Sequence, residues 1–273
     1  MKKFKNNIIN LNNYAALNFS TNTFVKFWNL IFFVTRNRLR FKAIENDNIL
    51  VEDSNYKFII SQKLRAWFYF KSLENRFESL GKMYFFDKIQ FSKNDIIIDC
   101  GSNIGEIYYS LKIFNKENFE YYGFEPVESE FKILEINTAN KIKSPVALFD
   151  KNEIKRLYVH KEGADSTLLK DSRYGESEYA DCKRLDSINN LTGKKIKLLK
   201  LEAEGAELQV LIGCGNVLKN IEYISADLGF ELEEGTKSNQ EEVVKFLNNN
   251  NFENIDSNSR SVNLFKNRDF INL

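Results

Sequence analysis

From residue 94 onwards, short apolar runs alternate with stretches in which apolar side chains recur at helical spacing. The apolar runs predict buried strands at residues 96–99, 119–124, 146–149, 196–201 and 221–228. The stretches between and after them predict helices at residues 106–114, 126–140, 206–218 and 240–248, and residues 262–270 predict a final strand at the edge of the sheet. Alternating strands and helices are typical of βαβ units, so the pattern predicts an α/β fold on a mostly parallel sheet.

Residues 1–90 show a different pattern, which is rich in aromatic side chains and has no glycine before Gly81. Apolar side chains recur there at helical spacing at Trp67, Phe70, Leu73, Phe77 and Leu80. Because Gly81 follows this run, we predict a helix over residues 62–80 with Gly81 as its left-handed C-cap. The change of pattern predicts two domains, residues 1–90 and residues 91–273, and the first is expected to be mainly helical.

Composition narrows the classes of function. Lys and Arg total 39 and Asp and Glu total 38, and a net charge of +1 disfavours sequence-independent binding of nucleic acid. The three cysteines, Cys100, Cys182 and Cys214, fit neither a disulfide framework nor a zinc cluster, so a reducing compartment and a cytoplasmic location are expected.

The most apolar segment covers residues 24–34 and is too short for a membrane span. Because the start of the chain also lacks a signal-peptide pattern, no transmembrane segment is expected. We favour a helix in a core or a homodimer interface, with a membrane-surface helix as the alternative, since basic residues follow at 36, 38, 40 and 42.

The string IIIDCGSNIGEIYYS at residues 96–110 places a glycine-containing turn between a predicted strand and a predicted helix. Asp99 ends the strand, and Gly101, Asn103 and Gly105 follow at alternate positions, where a backbone can approach a ligand closely. The next strand ends in Glu125, whose carboxylate could accept both hydroxyls of a ribose. The loop is GxNxG and not the GxGxxG of dinucleotide enzymes, and it resembles motif I of class I S-adenosylmethionine (SAM) methyltransferases.

A second string, IKLLKLEAEGAELQVLIGC at residues 196–214, brings Lys200, Glu202, Glu204 and Glu207 to a strand-to-helix turn. Carboxylates converging there are costly to bury unless they bind a ligand, a cation or a proton. Together with KRLDSI at residues 183–188, this string closely resembles the FkbM family of methyltransferases, and the resemblance runs from about residue 93 to 255. Two positions depart from the family: Glu202 stands where Asp is more common, and Ala203 replaces a β-branched residue.

The resemblance implies a Rossmann-like class I methyltransferase fold. Its seven-stranded, mostly parallel sheet would carry helices on both faces and belong to residues 91–273, the SAM-binding domain. The implied activity is SAM-dependent O-methylation of a sugar hydroxyl, on a nucleotide-activated sugar such as a heptose or hexose in capsule or surface polysaccharide biosynthesis. Residues 1–90 would then serve substrate contacts or homodimer formation, because aromatic faces suit both. The alternatives are an NAD-dependent oxidoreductase on a Rossmann fold and a non-catalytic module that docks on a glycan assembly.

The candidate residues fall into two groups. We expect the cofactor to be bound by Asp99, Gly101, Ser102, Asn103, Gly105 and Glu125, and by Ala147 on the resemblance alone. The candidates for the catalytic base are Glu202, Asp227 and His160, the last because a histidine titrates near neutral pH. A divalent cation held by Glu202, Glu204 or Asp227 is a rival way to activate the acceptor, but no metal ligand is predicted.

Overall fold

The computed structural model describes residues 2–139, 142–159, 166–169, 176–229 and 239–270. The N-terminal region, residues 2–90, is mainly helical, as predicted, and contains in addition a small antiparallel sheet that the sequence pattern did not reveal. Its elements are α1 (Lys2–Asn18), α2 (Thr21–Val34), β1 (Arg40–Ala43), β2 (Ile49–Glu52), β3 (Lys57–Ile60), the 3-10 helix Lys63–Tyr69 and α3 (Leu73–Met83).

The aromatic residues of this region form a core of their own. Phe24, Trp28 and Phe32 lie on one side of α2 and pack with Phe41 and Phe58 of the small sheet. The same cluster includes Ile104 and Ile133 from the second half of the chain, so the two halves share one apolar core.

A seven-stranded sheet organises the second half of the chain. The elements that follow the N-terminal region are β4 (Ile96–Cys100), α4 (Glu106–Phe114), β5 (Glu120–Phe124), α5 (Glu128–Asn137), β6 (Ile142–Ser144), β7 (Val146–Leu148), β8 (Glu153–Val159), β9 (Glu176–Lys183), β10 (Ile196–Leu201), α6 (Glu207–Cys214), β11 (Ile221–Asp227), α7 (Gln240–Asn249), β12 (Phe252–Ser257) and β13 (Val262–Asn267). The order in the sheet is β12-β13-β11-β10-β4-β5-β6, and β13 is antiparallel to both of its neighbours.

Alternate residues of a strand point to opposite sides of the sheet. Because both sets are mainly apolar and buried here, helices cover both faces. Ile98 and Cys100 pack in a cluster with residues of α6 and α7, whereas Ile97 packs with residues of α3 and α4. The predicted Rossmann-like arrangement is confirmed, and it brings the carboxyl ends of β4, β5, β10 and β11 to one edge.

Four predicted features of the fold are wrong in detail, two of them in the N-terminal region. The helix predicted over residues 62–80 is interrupted, because Ser72 accepts a hydrogen bond from Asn75 N (3.0 Å) and starts α3 anew. Gly81 is not a left-handed C-cap: it lies inside α3, where a Cβ atom would come within 2.4 Å of the Phe114 ring. It therefore lets α3 approach α4 closely.

The edges of the sheet also differ from the prediction. The final strand, β13, lies between β11 and β12, so β12 forms that edge and β6 forms the other. The strand predicted at residues 146–149 is β7, which leaves the main sheet and joins β8 and β9 in a separate three-stranded sheet. Within the described residues, no helix is long and apolar enough to cross a membrane.

Candidate functional site

A cavity of about 1060 Å³ opens at the carboxyl ends of the parallel strands. Its lining includes the loop between β4 and α4, the end of β5, the turn between β10 and α6, and parts of residues 62–84 of the N-terminal region. In an open α/β sheet, ligands bind at this edge. The cavity is therefore the candidate functional site.

The loop between β4 and α4 is folded tightly by two glycines. Gly101 has φ +73°, and a Cβ atom there would come within 2.2 Å of the Glu202 carbonyl oxygen. Gly105 has φ +92° and precedes the first turn of α4. The amides of Gly101 and Ser102 both donate to the Phe124 carbonyl (3.1 and 3.0 Å), which fastens the loop to the end of β5. Only residues without a side chain fit these turns at low cost.

Asp99 lies beneath this loop and is fully buried. The Tyr121 hydroxyl donates to its Oδ2 (2.5 Å), and the Lys200 ammonium lies 3.3 Å from its Oδ1. Burial raises the pKa of Asp99 and Lys200 opposes that rise. The residue supports the loop from below rather than facing the cavity.

Glu125 follows β5 at the cavity wall, with 5% of its surface exposed. Its two carboxylate oxygens accept hydrogen bonds from the amides of Asn103 (2.8 Å) and Val127 (2.9 Å). Burial raises its pKa to about 7, with a contribution from the nearby Glu130 carboxylate, although the two amides oppose the shift. Glu125 thus titrates close to neutral pH.

Lys200 and Tyr84 hold the Glu202 carboxylate. The buried Lys200 ammonium donates to the carbonyls of Cys100 (3.2 Å) and Gly101 (2.8 Å) and forms an ion pair with Glu202 Oε2 (2.9 Å). The Tyr84 hydroxyl donates to the same oxygen (2.7 Å). Burial alone would raise the pKa of Glu202, but Lys200 and Tyr84 outweigh it and the pKa is lowered. Its side chain remains 38% exposed at the cavity.

The other two carboxylates of this turn, Glu207 and Glu204, have different positions and contacts. Glu207 is buried and accepts hydrogen bonds from the amides of Ala203 (2.8 Å) and Gly205 (3.2 Å) and from Asn239 Nδ2 (2.6 Å), so it builds the turn. Glu204 lines the cavity and has φ +48°. Within the described ranges, no three His, Cys, Asp or Glu side chains are grouped so that they could hold a metal ion.

The remaining sequence candidates are distributed as follows. Asp227 ends β11 at the cavity wall, and its Oδ1 accepts from the Gly229 amide (3.2 Å). Ala147 lies in β7 and is a buried part of the same wall. His160 lies outside the described residues.

The N-terminal region contributes polar residues that sequence reasoning missed. Arg76 holds the Glu106 carboxylate through two hydrogen bonds (2.6 and 2.8 Å), and the Tyr69 hydroxyl adds a third (2.7 Å). Although burial opposes it, the pKa of Glu106 falls to about 2, mainly because of Arg76. Arg65 donates to Asn103 Oδ1 (3.0 Å) and lines the cavity. These residues lie 30 to 41 positions from their partners and belong to no local motif, so no sequence signal marks them.

The sequence profile described as the Methyltransferase FkbM domain matches residues 99–253, more than half of the chain. The chain belongs to the FkbM family of methyltransferases. The family predicted from IDCGSNIG, GFEP and KLEAEGAE is thereby confirmed. The FkbM family is one of methyltransferases, and SAM is the cofactor that membership implies.

Solved structures include similar methyltransferases. Methyltransferase FkbM from Methylobacillus flagellatus KT has a TM-score of 0.48 and 12% identity, over 75% of this chain and 54% of that chain. TrmK from M. capricolum, in complex with the natural cofactor product S-adenosyl-homocysteine, has a TM-score of 0.38 and 11% identity, over 71% of this chain and 69% of that one. The present chain therefore spans about half the length of the Methylobacillus protein. Among curated proteins, none matches the sequence.

The residues at the cavity fit SAM. A carboxylate, Glu125, stands at the end of the second parallel strand, where ribose hydroxyls can donate to it. The glycine loop beside it has a backbone that a polar ligand can approach, and Ala147 offers a small apolar surface. Ligand pockets typically measure roughly 300–1,000 Å³, so the volume leaves room for a cofactor and an acceptor together.

Proposed function

We propose that this FkbM protein methylates a hydroxyl oxygen of a sugar, carried on a nucleotide-activated heptose or hexose for a capsule or other surface polysaccharide, and that it does so in the cytoplasm. The observation that carries the proposal is the state of Glu202. Its carboxylate is exposed to the cavity, is kept anionic by Lys200, and is oriented through one oxygen, Oε2. Among the described residues, Oε1 has no hydrogen-bond partner, so it is available to accept a hydrogen bond from the acceptor.

A sugar hydroxyl needs two things from the protein: a fixed position and an acceptor for its proton. Glu202 Oε1 supplies both, because the hydroxyl donates to it on binding and transfers the proton to it during the reaction. When bound, SAM supplies a methyl group on a positively charged sulfur, which becomes neutral once the hydroxyl oxygen has taken the methyl. Asp227 is the second candidate base, on the neighbouring strand β11.

Other parts of the wall support a sugar nucleotide as the acceptor. Trp67 and Phe68, with ring centroids 4.3 Å apart, line the cavity and offer apolar faces for a sugar ring. Arg260 also lines the cavity and supplies a cation for a phosphate group. Residues 1–90 therefore act as the substrate region in this proposal, with homodimer formation as their second possible use.

The proposal assigns the cofactor contacts as follows. Gly101, Ser102, Asn103 and Gly105 surround the methionine end, Asp99 supports them, Glu125 accepts the ribose hydroxyls, and Ala147 contacts the adenine. Arg65 binds the carboxylate of the methionine end. Of the cavity cations Arg65, Arg76 and Lys200, Arg76 is held by Glu106 and Lys200 by Glu202 and Asp99, whereas Arg65 contacts Glu106 at a longer distance of 3.4 Å and donates to Asn103 of the glycine loop.

The test compares Glu202→Gln with Asp227→Asn in the purified protein. Wild type is incubated with SAM and a panel of nucleotide sugars, and methylated product is detected by mass spectrometry. With an accepted sugar, we expect Glu202→Gln to lower kcat by about 100-fold or more, while calorimetric titration shows unchanged binding of S-adenosylhomocysteine. Asp227→Asn should stay near wild type.

Each part of the proposal has its own contrary result. Loss of turnover in Asp227→Asn alone would make Asp227 the base. Binding of S-adenosylhomocysteine without methylation of any nucleotide sugar would remove the acceptor class and leave the cofactor site intact.

A further inference from the structure

The first 44 residues have a charge unlike that of the rest of the protein. They contain eight Lys and Arg residues and no Asp or Glu, whereas residues 45–273 contain 31 Lys and Arg against 38 Asp and Glu. The net charge of the whole chain is near neutral, but it combines a basic segment, formed by α1, α2 and β1, with an acidic remainder.

Exposed apolar side chains occur on the same helices. On α2, Leu30, Phe33 and Val34 are 63%, 73% and 72% exposed, and their spacing puts them on one side of the helix. That side is opposite the buried Phe24 and Trp28. On α1, Leu11, Tyr14 and Leu17 form a second exposed apolar row at three-residue spacing. Soluble proteins rarely leave such groups of large side chains in water without a use.

Basic residues lie on the exposed side of α2 and directly after the helix. Lys26 lies one turn before Leu30 on that side, and Arg36, Arg38 and Arg40 follow the helix, all of them exposed. None of the ion pairs in the described part of the chain involves any of these four residues. Their charge is therefore available to an external anionic partner.

We propose that α1 and α2 form a docking surface for an anionic lipid membrane. Leu30, Phe33 and Val34 would enter the boundary between headgroups and acyl chains, and the basic residues would contact anionic headgroups. An apolar helix side bordered by Lys and Arg, and too short to cross a bilayer, is the type of surface that lies in this boundary.

A second copy of the chain fits this surface less well. In a two-fold symmetric dimer the same patch faces itself, so the basic residues would meet basic residues with no acid among the 44 to compensate. An anionic membrane provides both the apolar layer and the opposite charge. The proposal does not depend on SAM binding or on the acceptor.

The experiment is co-sedimentation of the purified full chain with vesicles. Vesicles of phosphatidylglycerol and phosphatidylcholine are compared with vesicles of phosphatidylcholine alone, at low and high salt. The variants are Leu30→Ser with Phe33→Ser, and Arg36→Gln with Arg38→Gln. Ile154→Ser is the matched control, because Ile154 is an equally exposed apolar residue on β8, outside the docking surface.

We expect wild type to bind the anionic vesicles, to be released by high salt, and to bind phosphatidylcholine weakly. Each double variant should lower the partition coefficient by about tenfold or more, and the control should not change it. Unchanged thermal melting will show that the variants are folded.

Three results would overturn the proposal: no binding to anionic vesicles, equal binding to both kinds of vesicle, or equal loss in the control. A dimer in light scattering that the Leu30 and Phe33 variant dissociates, without vesicle binding by wild type, would identify a second copy as the occupant instead.

Discussion

Two carboxyl groups of the same cavity have pKa values shifted in opposite directions. Glu125 is buried beside Glu130 and bound only by backbone amides, and its pKa rises to about 7. The Glu202 side chain is partly exposed at the cavity and lies beside the Lys200 ammonium and the Tyr84 hydroxyl, and its pKa falls. Burial without an adjacent cation raises the pKa of Glu125, whereas the adjacent Lys200 lowers that of Glu202, so Glu202 is the group that stays charged at neutral pH.

The pKa of Glu125 predicts how cofactor binding depends on pH. In the proposed cofactor site, ribose hydroxyls donate to the ionised carboxylate, so binding would require the proton to leave Glu125. Below its pKa of about 7, the ionised fraction falls about tenfold per pH unit. We expect the affinity for S-adenosylhomocysteine, measured by calorimetric titration, to be about tenfold lower one unit below that pKa than well above it.

Glu125→Ala is the control for this dependence. The variant should bind S-adenosylhomocysteine more weakly above neutral pH by about 1.5–3 kcal/mol, because the charge-assisted hydrogen bonds are lost. Its affinity should also be independent of pH over the same window. A variant that keeps the wild-type slope would show that another group titrates, and that the ribose is held elsewhere.

At the scale of elements, the parts of the site that local sequence predicts are those built by adjacent residues. The turn from Asp99 to Gly105 and the strand that ends before Glu125 lie where the pattern places them, because strand, turn and helix signals are local. Local periodicity predicts helical structure in residues 62–80, but it gives no sign that this segment brings Arg65, Arg76 and the following Tyr84 to the cavity. Tyr84 meets its partner 118 residues away.

The same reasoning explains why parts of the fold predicted from the sequence were wrong. The short strands β1, β2, β3 and β6 have three or four residues, too few for a period to show. The position of β13 beside β11 depends on pairing between segments that are distant in the sequence. Local patterns indicate that a strand exists, and tertiary contacts decide its neighbours.

The 3-10 helix Lys63–Tyr69 gives the next prediction, because Arg65 reaches the cavity from it. Replacing Arg65 by Gln should remove the cation assigned to the methionine carboxylate. We expect calorimetric titration to show S-adenosylhomocysteine bound more weakly by about 1.5–3 kcal/mol, the range for a hydrogen bond to a charged group.

Methylthioadenosine provides the control for that variant, since it has the same nucleoside and no amino-acid carboxylate. Its affinity should be equal in wild type and Arg65→Gln. Equal weakening of both ligands would mean that Arg65 only maintains the loop through Asn103. No weakening of either would place the carboxylate elsewhere.

At the scale of the whole molecule, the N-terminal region and the large sheet are joined in two ways. Ile104 and Ile133 belong to the aromatic cluster of the N-terminal region. Arg76, Tyr69 and Glu106 connect α3 and the 3-10 helix to the start of α4 through short, buried hydrogen bonds. Neither region can unfold without exposing part of the other, so we expect a single cooperative unfolding transition.

The chain carries separate probes for its two regions. Both tryptophans, Trp28 and Trp67, lie in the N-terminal region, whereas all three cysteines lie in the large-sheet region and are buried. In a urea titration, tryptophan fluorescence and cysteine labelling should give the same midpoint. Two separate midpoints would show that residues 1–90 unfold independently.

The variant Glu106→Gln gives a second test of the predicted single unfolding transition. Removing the carboxylate leaves the buried Arg76 guanidinium without its counter-charge, which we expect to cost about 3 kcal/mol. If the regions are one cooperative unit, both midpoints move together to lower urea by the same amount. A shift in tryptophan fluorescence alone would confine the effect to the N-terminal region. The two regions would then be separate folding units in contact, and the Glu106 network would only dock one on the other.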